Sequence, residues 1–304
     1  MVATLVHPPG PLGVTPPRAA VGQGWPLRTW RTTATFVTMY PLRRLLGSLR
    51  RDPSTSIETW RASVTGRRRE NQDRCACSTR WAVVSDGMGG HAGGARAATL
   101  TCDAAVRVLE DAARSGCVAS PETAVADAVD RANIAVRQGR ADRSVADMGA
   151  TLVLAVATSV DPASSGWLVG AIGDSPAWVV TATDARQLTT DRTLAASIDA
   201  SRTGTGEEPV TGRARHLLTR AVGIETEAVA DLYTVVLEAG DALVLGSDGV
   251  SDVLDATAIG EIVRTGVASD PAGALVERAL DAGSNDNVTV VVLRHRTDTD
   301  VEPG

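Results

Sequence analysis

Short apolar runs separated by turn residues follow one another along the chain from about Ser56 onward. Runs of this length that are rich in Val, Leu, Ile and Trp are typical of β-strands. They lie at residues 60–64, 81–85, 150–158, 166–174, 176–183, 232–240, 241–249 and 287–295. Because several of these runs are joined by short turns only, we expect neighbouring strands to pair antiparallel.

Two longer segments, 93–115 and 121–140, are rich in alanine and repeat their apolar residues with a helical spacing. The second opens with Ser120 and Pro121, a helix cap followed by proline at the first helical position. Shorter helical patterns follow at 257–266 and 271–283. This order of strands and helices predicts an α+β fold with a largely antiparallel sheet system.

The two ends of the chain differ in composition from the region between them. Residues 1–51 contain seven arginines, seven prolines and no acidic residue. We therefore expect a basic, disordered extension at 1–56, one folded domain at 57–296 and a disordered tail at 297–304. Within the domain, the polar and glycine-rich segment 199–215 is predicted to be a mobile surface segment.

Charge and cysteine content exclude several classes of protein. The net charge is −6, and because residues 1–51 contribute +7, the remainder carries −13, which argues against nucleic acid or an anionic membrane as the main partner. The sequence contains no apolar run long enough to span a bilayer. The four cysteines lack the paired spacing of a zinc site, so reduced thiols in a cytoplasmic protein are expected.

Aspartates stand at the edges of four predicted strands. Asp86, Asp174 and Asp248 close strands, Asp286 opens one, and Asp73 precedes the strand at 81–85. In an antiparallel sheet such positions meet at one edge, and clustered carboxylates need a cation to offset their repulsion. Oxygen ligands without paired histidines or cysteines favour Mg²⁺ or Mn²⁺. Each aspartate taken alone is also typical of an ordinary turn residue.

The charged segment 66–74 is predicted to be a loop between the strands at 60–64 and 81–85, and its arginine run, residues 67–69, precedes Asp73. The planar guanidinium of arginine suits a phosphate dianion, so an arginine fixed beside a metal pair would complete a phosphoester site. A solvated basic loop is the ordinary interpretation of a charge run. Only the position next to Asp73 favours the phosphate site.

Over about residues 58–295 the chain resembles the metal-dependent serine/threonine protein phosphatases, the PPM or type 2C family. The resemblance rests on eight motifs that occur in the same order as in the family. They are GRRRENQD (66–73), VVSDGMGGHAGG (83–94), MGATLV (148–153), AIGDSPAW (171–178), QLTTD (187–191), LTRAVG (218–223), LVLGSDGVSD (243–252) and GSNDNVTVVV (283–292). The DGMGGH form resembles the bacterial branch. The resemblance implies a four-layer αββα sandwich, with two central antiparallel sheets flanked by helix pairs.

The resemblance also implies a centre of two Mg²⁺ or Mn²⁺ ions at one end of the sandwich. Carried over by position, Asp86 would bridge both ions and Gly87 would offer its carbonyl oxygen. Asp248 and Asp286 would bind one ion, and Asp73 would support the centre. The remaining matches are Asp174, which would help to hold a third, weaker ion, and Arg68, which would bind the phosphate. His91 is a candidate proton donor on its chemistry alone, because the general acid of eukaryotic family members directly follows the Asp-Gly pair, where this chain has Met88.

Three departures from the family pattern stand near this centre. Gln72 replaces the more usual glutamate and removes a charge beside the metal ligands. Ser175-Pro176 stands where Ser-Arg is common, and 191–193 reads Asp-Arg-Thr where Asp-His-Ser is common. All of these leave the metal-binding acids in place, so the resemblance implies an active enzyme.

The hypothesis that follows is a phosphatase that hydrolyses phosphoserine and phosphothreonine in protein substrates with metal-activated water, opposing a bacterial Ser/Thr kinase. We expect a monomer. A second hypothesis is a pseudophosphatase that only binds a phosphoprotein or partner, for which Gln72 is the best support. A third takes DGMGGHAGG as a dinucleotide-binding loop, but its glycines lack the required spacing and no βαβ alternation follows.

Overall fold

The computed structural model describes residues 57–89, 92–115, 120–141, 143–161, 163–202, 208–265 and 270–296. Its strands are β1 (Ile57–Val64), β2 (Asp73–Cys77), β3 (Trp81–Met88), β4 (Gly149–Ala150), β5 (Leu152–Val160), β6 (Ser164–Ile172), β7 (Ala177–Val180), β8 (Ala185–Gln187), β9 (Asp231–Glu238), β10 (Ala242–Gly246) and β11 (Val288–His295). Its helices are α1 (Ala92–Ser115), α2 (Pro121–Gly139), α3 (Leu194–Ser201), α4 (Asp248–Ser251), α5 (Ala256–Arg264) and α6 (Pro271–Asp281).

The strands form two antiparallel sheets. The first sheet has the order β1-β11-β10-β7-β8, and the second has the order β2-β3-β5-β6-β9 with β4 paired to β3. All of these pairings are antiparallel, which confirms the expectation drawn from the short turns. Because neighbouring strands run in opposite directions, the end of one strand lies beside the start of the next at the same edge of the sheet.

Three apolar clusters separate four layers. One lies between α1 and α2 and the second sheet, where Val129 packs with Leu154. The middle cluster joins the two sheets and contains Trp167 and Leu245. The third lies between the first sheet and α4, α5 and α6, where Trp178 is buried. Burying one such side chain stabilises the fold by roughly 1.5–3 kcal/mol. The predicted α+β sandwich of two sheets flanked by helices is confirmed.

Local sequence fixes several helix starts. The Ser120 hydroxyl accepts a hydrogen bond from the Thr123 amide at 3.3 Å, and Pro121 occupies the first turn of α2, as predicted. The carboxylate of Asp255 accepts a hydrogen bond from the amide of Ala258 at 2.8 Å and so caps α5 in the same way. Such caps satisfy amide groups that have no partner within the helix. None of the described helices is long and apolar enough to cross a bilayer.

Two local predictions were wrong. The segment DRCAC at 73–77 forms β2, although the pattern placed residues 66–74 in a charged loop. Its charges hide the strand pattern, and pairing with β3 holds it in the sheet. The strand predicted to reach residue 249 ends at Gly246, and Asp248 begins α4 instead.

Other predictions concern residues outside the described part of the chain. These are the extension at 1–56, the tail at 297–304, and His91. Of the segment 199–215, residues 203–207 also lie outside it, while the rest includes the end of α3 and most of a 3₁₀ turn at Gly212–His216. The mobility of this segment stays a prediction.

Candidate metal centre

Both sheets end in aspartates at the same end of the sandwich. Asp73, the first residue of β2, is the direct cross-strand partner of Asp86 near the end of β3. The backbone of Asp86 is fixed by Thr151, which follows β4. The Asp86 amide donates to the Thr151 hydroxyl at 2.9 Å, and the Thr151 amide donates to the Asp86 carbonyl at 2.8 Å. The Asp86 carboxylate is thereby held at the sheet edge.

A serine between the two sheets anchors Asp73. The Ser247 hydroxyl donates to one carboxylate oxygen of Asp73 at 2.8 Å and accepts from the Thr289 amide at 3.1 Å. Asp73 is only 2% exposed, and its other carboxylate oxygen, Oδ1, has no hydrogen-bond partner. A buried carboxylate oxygen without a partner is costly, so it indicates a missing electrostatic partner at this position.

The pKa shifts of the acids indicate that all five lie close together. Burial raises the pKa of Asp86 well above its ordinary value, and repulsion from Asp73, Asp248, Asp174 and Asp286 adds to the effect. Burial also raises the pKa of Asp248 well above its ordinary value, and repulsion from Asp174, Asp286, Asp252 and Asp73 adds to the effect. Burial, followed by repulsion from Asp191, raises the pKa of Asp174 to about 7. The predicted convergence of these acids is therefore present in the structure.

The donor set fits divalent metal ions. The converging groups are carboxylates, and the buried Oδ1 atoms of Asp73 and Asp248 both lack hydrogen-bond partners. Oxygen ligands with no nitrogen or sulfur among them suit Mg²⁺ or Mn²⁺ better than softer metals. A cation at this edge would offset the repulsion that raises the pKa values.

Gly87 allows β3 and the start of α1 to approach each other closely beside these acids. A Cβ atom on Gly87 would stand 1.9 Å from the carbonyl oxygen of Gly94, in the first turn of α1. Its amide donates to the carbonyl oxygen of Gln72 at 3.2 Å. A Cβ atom on Gly94 would likewise stand 2.5 Å from the Gly87 carbonyl oxygen, so the absence of a side chain at both positions lets α1 begin close to β3. The role of the Gly87 carbonyl as a metal ligand stays a prediction.

The arginine run reaches the same edge. The Arg68 guanidinium forms an ion pair with the Asp286 carboxylate, and its Nε donates to the Asn285 carbonyl at 3.3 Å. Gly66 has a φ of +59°, and a Cβ there would stand 2.2 Å from the Asp286 carbonyl oxygen. Glycine thus lets the loop pass close to Asp286. The Arg68 side chain remains 56% exposed, so it is accessible to a ligand.

Asn287 holds this loop and was given no role by the sequence analysis. Its side-chain amide donates to the carbonyl oxygens of Thr65 and Glu70, both at 2.9 Å. Its side-chain oxygen accepts from the Gln72 amide at 2.8 Å. The motif GSNDNVTVVV contains this residue. Its three hydrogen bonds are to residues more than 200 positions earlier in the chain, so the sequence alone does not predict them.

Comparison with known proteins decides the family. A family model described as protein phosphatase 2C matches residues 63–268, which is more than half of the chain. The chain belongs to the protein phosphatase 2C family. Among individual family members, the serine/threonine phosphatase stp of Listeria monocytogenes is 28% identical over 217 residues, 69% of this chain and 82% of that protein. The protein phosphatase PhpP of Streptococcus pneumoniae is 30% identical over 216 residues, 69% and 84% of the two chains.

Solved structures of the family show the same fold. The catalytic domain of the serine/threonine protein phosphatase PstP, solved with two manganese ions, has a TM-score of 0.66 and 30% identity, covering 80% of this chain and all of that one. PstP/Ppp of Mycobacterium tuberculosis has a TM-score of 0.67 and 28% identity, with coverage of 80% and 100%.

The departures from the family pattern find local explanations in the structure. The side-chain oxygen of Gln72 lies 2.6 Å from where a Cβ on Gly94 would stand, so this side chain packs against the start of α1. Pro176, in the place of the common arginine, accepts a hydrogen bond at its carbonyl oxygen from the Gly246 amide at 3.0 Å. Arg192, in the place of the common histidine, donates from Nε to the Asp231 carboxylate at 2.6 Å. None of the three removes a metal-binding acid.

Three further residues border the centre without having been predicted as site residues. Asp191, Asp252 and His216 line one cleft together with Asp174 and Asp248. Asp191 and Asp252 belong to the family motifs quoted above, which was the available signal. His216 ends the 3₁₀ turn at Gly212–His216, and nothing in its sequence context points to the site.

Proposed function

We propose that the chain is a Mg²⁺- or Mn²⁺-dependent protein phosphatase that hydrolyses phosphoserine and phosphothreonine. The observation that carries this proposal is the convergence of five aspartates with Arg68 at one end of the sandwich. Relatives named serine/threonine phosphatases, and a relative solved with two manganese ions, support the same chemistry.

Each acid has a distinct part in holding the ions. Asp73, Asp86, Asp248 and Asp286 would hold two ions, and Gly87 would add its carbonyl oxygen as a further ligand. Ser247 fixes one oxygen of Asp73 and leaves the other, Oδ1, available as a ligand. Asp174 would contribute to a third ion. Divalent ions held there would supply Lewis acidity, which offsets the charge of the phosphate and lowers the pKa of a water molecule that serves as the nucleophile.

The protein's own contribution to phosphate binding is Arg68. Its guanidinium carries a fixed charge and a planar set of donors that match the oxygens of a phosphate dianion. Asn287 holds both ends of the loop that carries Arg68, at Thr65 and Glu70. A phosphate that enters between the acids and Arg68 therefore meets a positioned donor, which limits the reorganisation needed during the reaction.

The cellular setting follows from the relatives and the composition. We infer phosphorylated proteins as substrates, a bacterial Ser/Thr kinase as the opposing enzyme, a cytoplasmic location and a monomeric state. A pseudophosphatase would be favoured by loss of one of the metal-binding acids. Asp73, Asp86, Asp248 and Asp286 are all present, so the catalytic function is favoured over a purely binding one.

The test is phosphate release from p-nitrophenyl phosphate and from a phosphothreonine peptide by the purified full chain, with Mn²⁺ or with a chelator. We expect turnover with Mn²⁺ only, and its loss in the double variant Asp86→Ala, Asp248→Ala. Turnover that is absent with Mn²⁺, or that is unchanged in the double variant, would exclude the proposed function.

A further inference from the structure

The arginine run at residues 67–69 lies beside the metal centre, and all three of its side chains are exposed. Arg68 is ion-paired with Asp286. Within the described part of the chain, neither Arg67 nor Arg69 forms an ion pair with a carboxylate. Two positive charges without a carboxylate partner therefore stand next to the residue proposed to bind the phosphate.

Arg67 is held next to Arg68 by a single residue, Asn285. Arg67 Nη1 donates to the side-chain oxygen of Asn285 at 3.1 Å, and Arg68 Nε donates to the backbone carbonyl oxygen of the same residue at 3.3 Å. The two guanidinium groups are therefore neighbours, and Asp286 is the one carboxylate paired with them among the described residues. Like charges at this separation repel each other, so a further anion beside Arg67 would offset the repulsion.

The backbone that carries the arginine run is fixed at both of its ends. Besides the hydrogen bonds from Asn287 described above, the Asn71 side chain donates to the Ser63 hydroxyl at 2.9 Å and accepts from the Asp73 amide at 3.0 Å. Arg74 Nη1 donates to the carbonyl oxygens of Asn71 and Asp73 at 2.9 and 2.7 Å. A loop that is fixed before binding loses less conformational entropy when its side chains take up a ligand.

The charge of this loop is opposite to that of the protein around it. Residues 52–304 carry a net charge of −13, so the folded part of the chain repels acidic ligands in general. A positive loop beside the site reverses this locally and favours acidic groups at that one place. An extended peptide spans about 3.5 Å per residue, so an acid one or two positions from a bound phosphoresidue lies within about 7 Å of it. This distance is within the reach of the arginines that flank Arg68.

We propose that Arg67 and Arg69 select phosphoprotein substrates that carry aspartate or glutamate within two residues of the phosphorylated serine or threonine. This inference rests on the proposed function and deepens it by naming a class of substrate. The resemblance to the family gives a role to Arg68 alone in the run. The preference for acidic substrates is therefore assigned to the two arginines that this chain carries on either side of it.

The test is the ratio of kcat/KM values for phosphothreonine peptides of equal length, measured with Mn²⁺ at low salt. The peptides carry glutamate, glutamine or arginine at the two positions on each side of the phosphothreonine. We expect the wild type to favour the glutamate peptide over the glutamine peptide about tenfold, mainly through KM, since each exposed ion pair contributes roughly two- to fivefold. Added salt should reduce the preference, because it screens exposed charges.

Arg67→Gln and Arg69→Gln should each lower this preference about two- to fivefold, and the double variant should abolish it. Arg107→Gln is the matched control, because it removes the same charge from an exposed position in the second half of α1, away from the metal edge. It should keep the wild-type preference. A ratio between two peptides on one protein sample is unaffected by a loss of folded enzyme, so it reports on recognition alone.

Three outcomes would contradict the inference. Wild-type turnover that is equal for the three peptides, or fastest with the arginine peptide, would overturn it and leave the proposed function intact. A preference for the glutamate peptide that survives in the double variant would assign recognition to other groups and overturn the role of Arg67 and Arg69. Absence of turnover with p-nitrophenyl phosphate and with every peptide would exclude the proposed function and this inference together.

Discussion

Asp73 and Asp86 face one another directly across the β2–β3 ladder, so two carboxylates share one position of an antiparallel sheet. Like charges placed opposite each other in a sheet are destabilising. Burial makes the repulsion stronger, and it raises the pKa of both groups. The facing pair of carboxylates therefore destabilises the metal-free protein, and a cation bound beside them would offset the repulsion.

Substitution of Asp86 by asparagine should stabilise the metal-free protein while it abolishes stabilisation by Mn²⁺. Removing one of the facing charges relieves repulsion, and we expect a gain of about 1 kcal/mol or more in the free energy of unfolding. Urea unfolding with a chelator and with Mn²⁺ measures both effects. Asp130→Asn, on the exposed face of α2, is the control and should change neither. A metal-free Asp86→Asn protein less stable than the wild type would contradict the account.

The metal-free protein should lose stability as the pH rises from about 4 to 7, because folding raises the pKa of Asp174. This pKa is about 7 in the folded chain, mainly through burial, against about 3.9 in an unfolded chain. Between these values the folded state holds more protons, so its stability is largest below the unfolded pKa and is lost as the pH approaches the folded pKa.

The comparison that isolates this effect is with Asp174→Asn. Its free energy of unfolding should fall less steeply with pH than that of the wild type, by up to about 1.4 kcal/mol per pH unit between pH 5 and 6.5. Urea unfolding in the presence of a chelator at several pH values gives both slopes. Identical slopes would show that Asp174 titrates at its ordinary pKa.

Replacing Asn287 by leucine should destabilise the protein by about 3 kcal/mol and weaken phosphate binding. The substitution leaves the Thr65 and Glu70 carbonyl oxygens and the Gln72 amide without their partner, and each unsatisfied group costs about 1–3 kcal/mol if it stays buried. Asn285→Ala is the control, since among the described residues its side chain hydrogen-bonds the exposed Arg67 alone. Phosphate inhibition that is unchanged in Asn287→Leu would argue against a positioning role for this residue.

The substitution Arg68→Lys should raise KM for a phosphothreonine peptide about tenfold and weaken inhibition by inorganic phosphate to a similar extent. Lysine keeps the positive charge but loses the planar pair of donors that fits a phosphate dianion. Steady-state kinetics with Mn²⁺ measure both constants. Arg69→Lys, the same change at the next position of the loop, should leave KM within twofold. Equal effects at both positions would mean that only the charge of the loop matters.

How far the sequence predicts the site depends on how local the signal is. Asp86 and Asp248 each come after a clear apolar run, so the pattern alone places them near a sheet edge, although β3 itself continues to Met88. Asp73 was expected in a loop because the strand it begins, DRCAC, carries charges and contains no branched apolar residue. Its position depends on pairing with β3, which is a tertiary effect that overrides the local preference.

Residues that act through contacts with distant parts of the chain were not predictable in the same way. Asn287 contacts the arginine loop through its side chain, and His216 meets Asp248 only because the chain folds back beside α4. Neither carries a periodic pattern or a characteristic spacing. The family motifs include Asn287 and pass over His216, which is why the first could have been suspected from the resemblance and the second could not.

The most direct test of the metal centre is anomalous diffraction at the manganese edge from crystals of the full chain grown with Mn²⁺. Two peaks should lie beside the Asp86 carboxylate, and one of them should also lie next to Asp248 and Asp286. Density for Mn²⁺ at the surface only, with the carboxylates of Asp73, Asp86, Asp248 and Asp286 bound to no ion, would contradict the account.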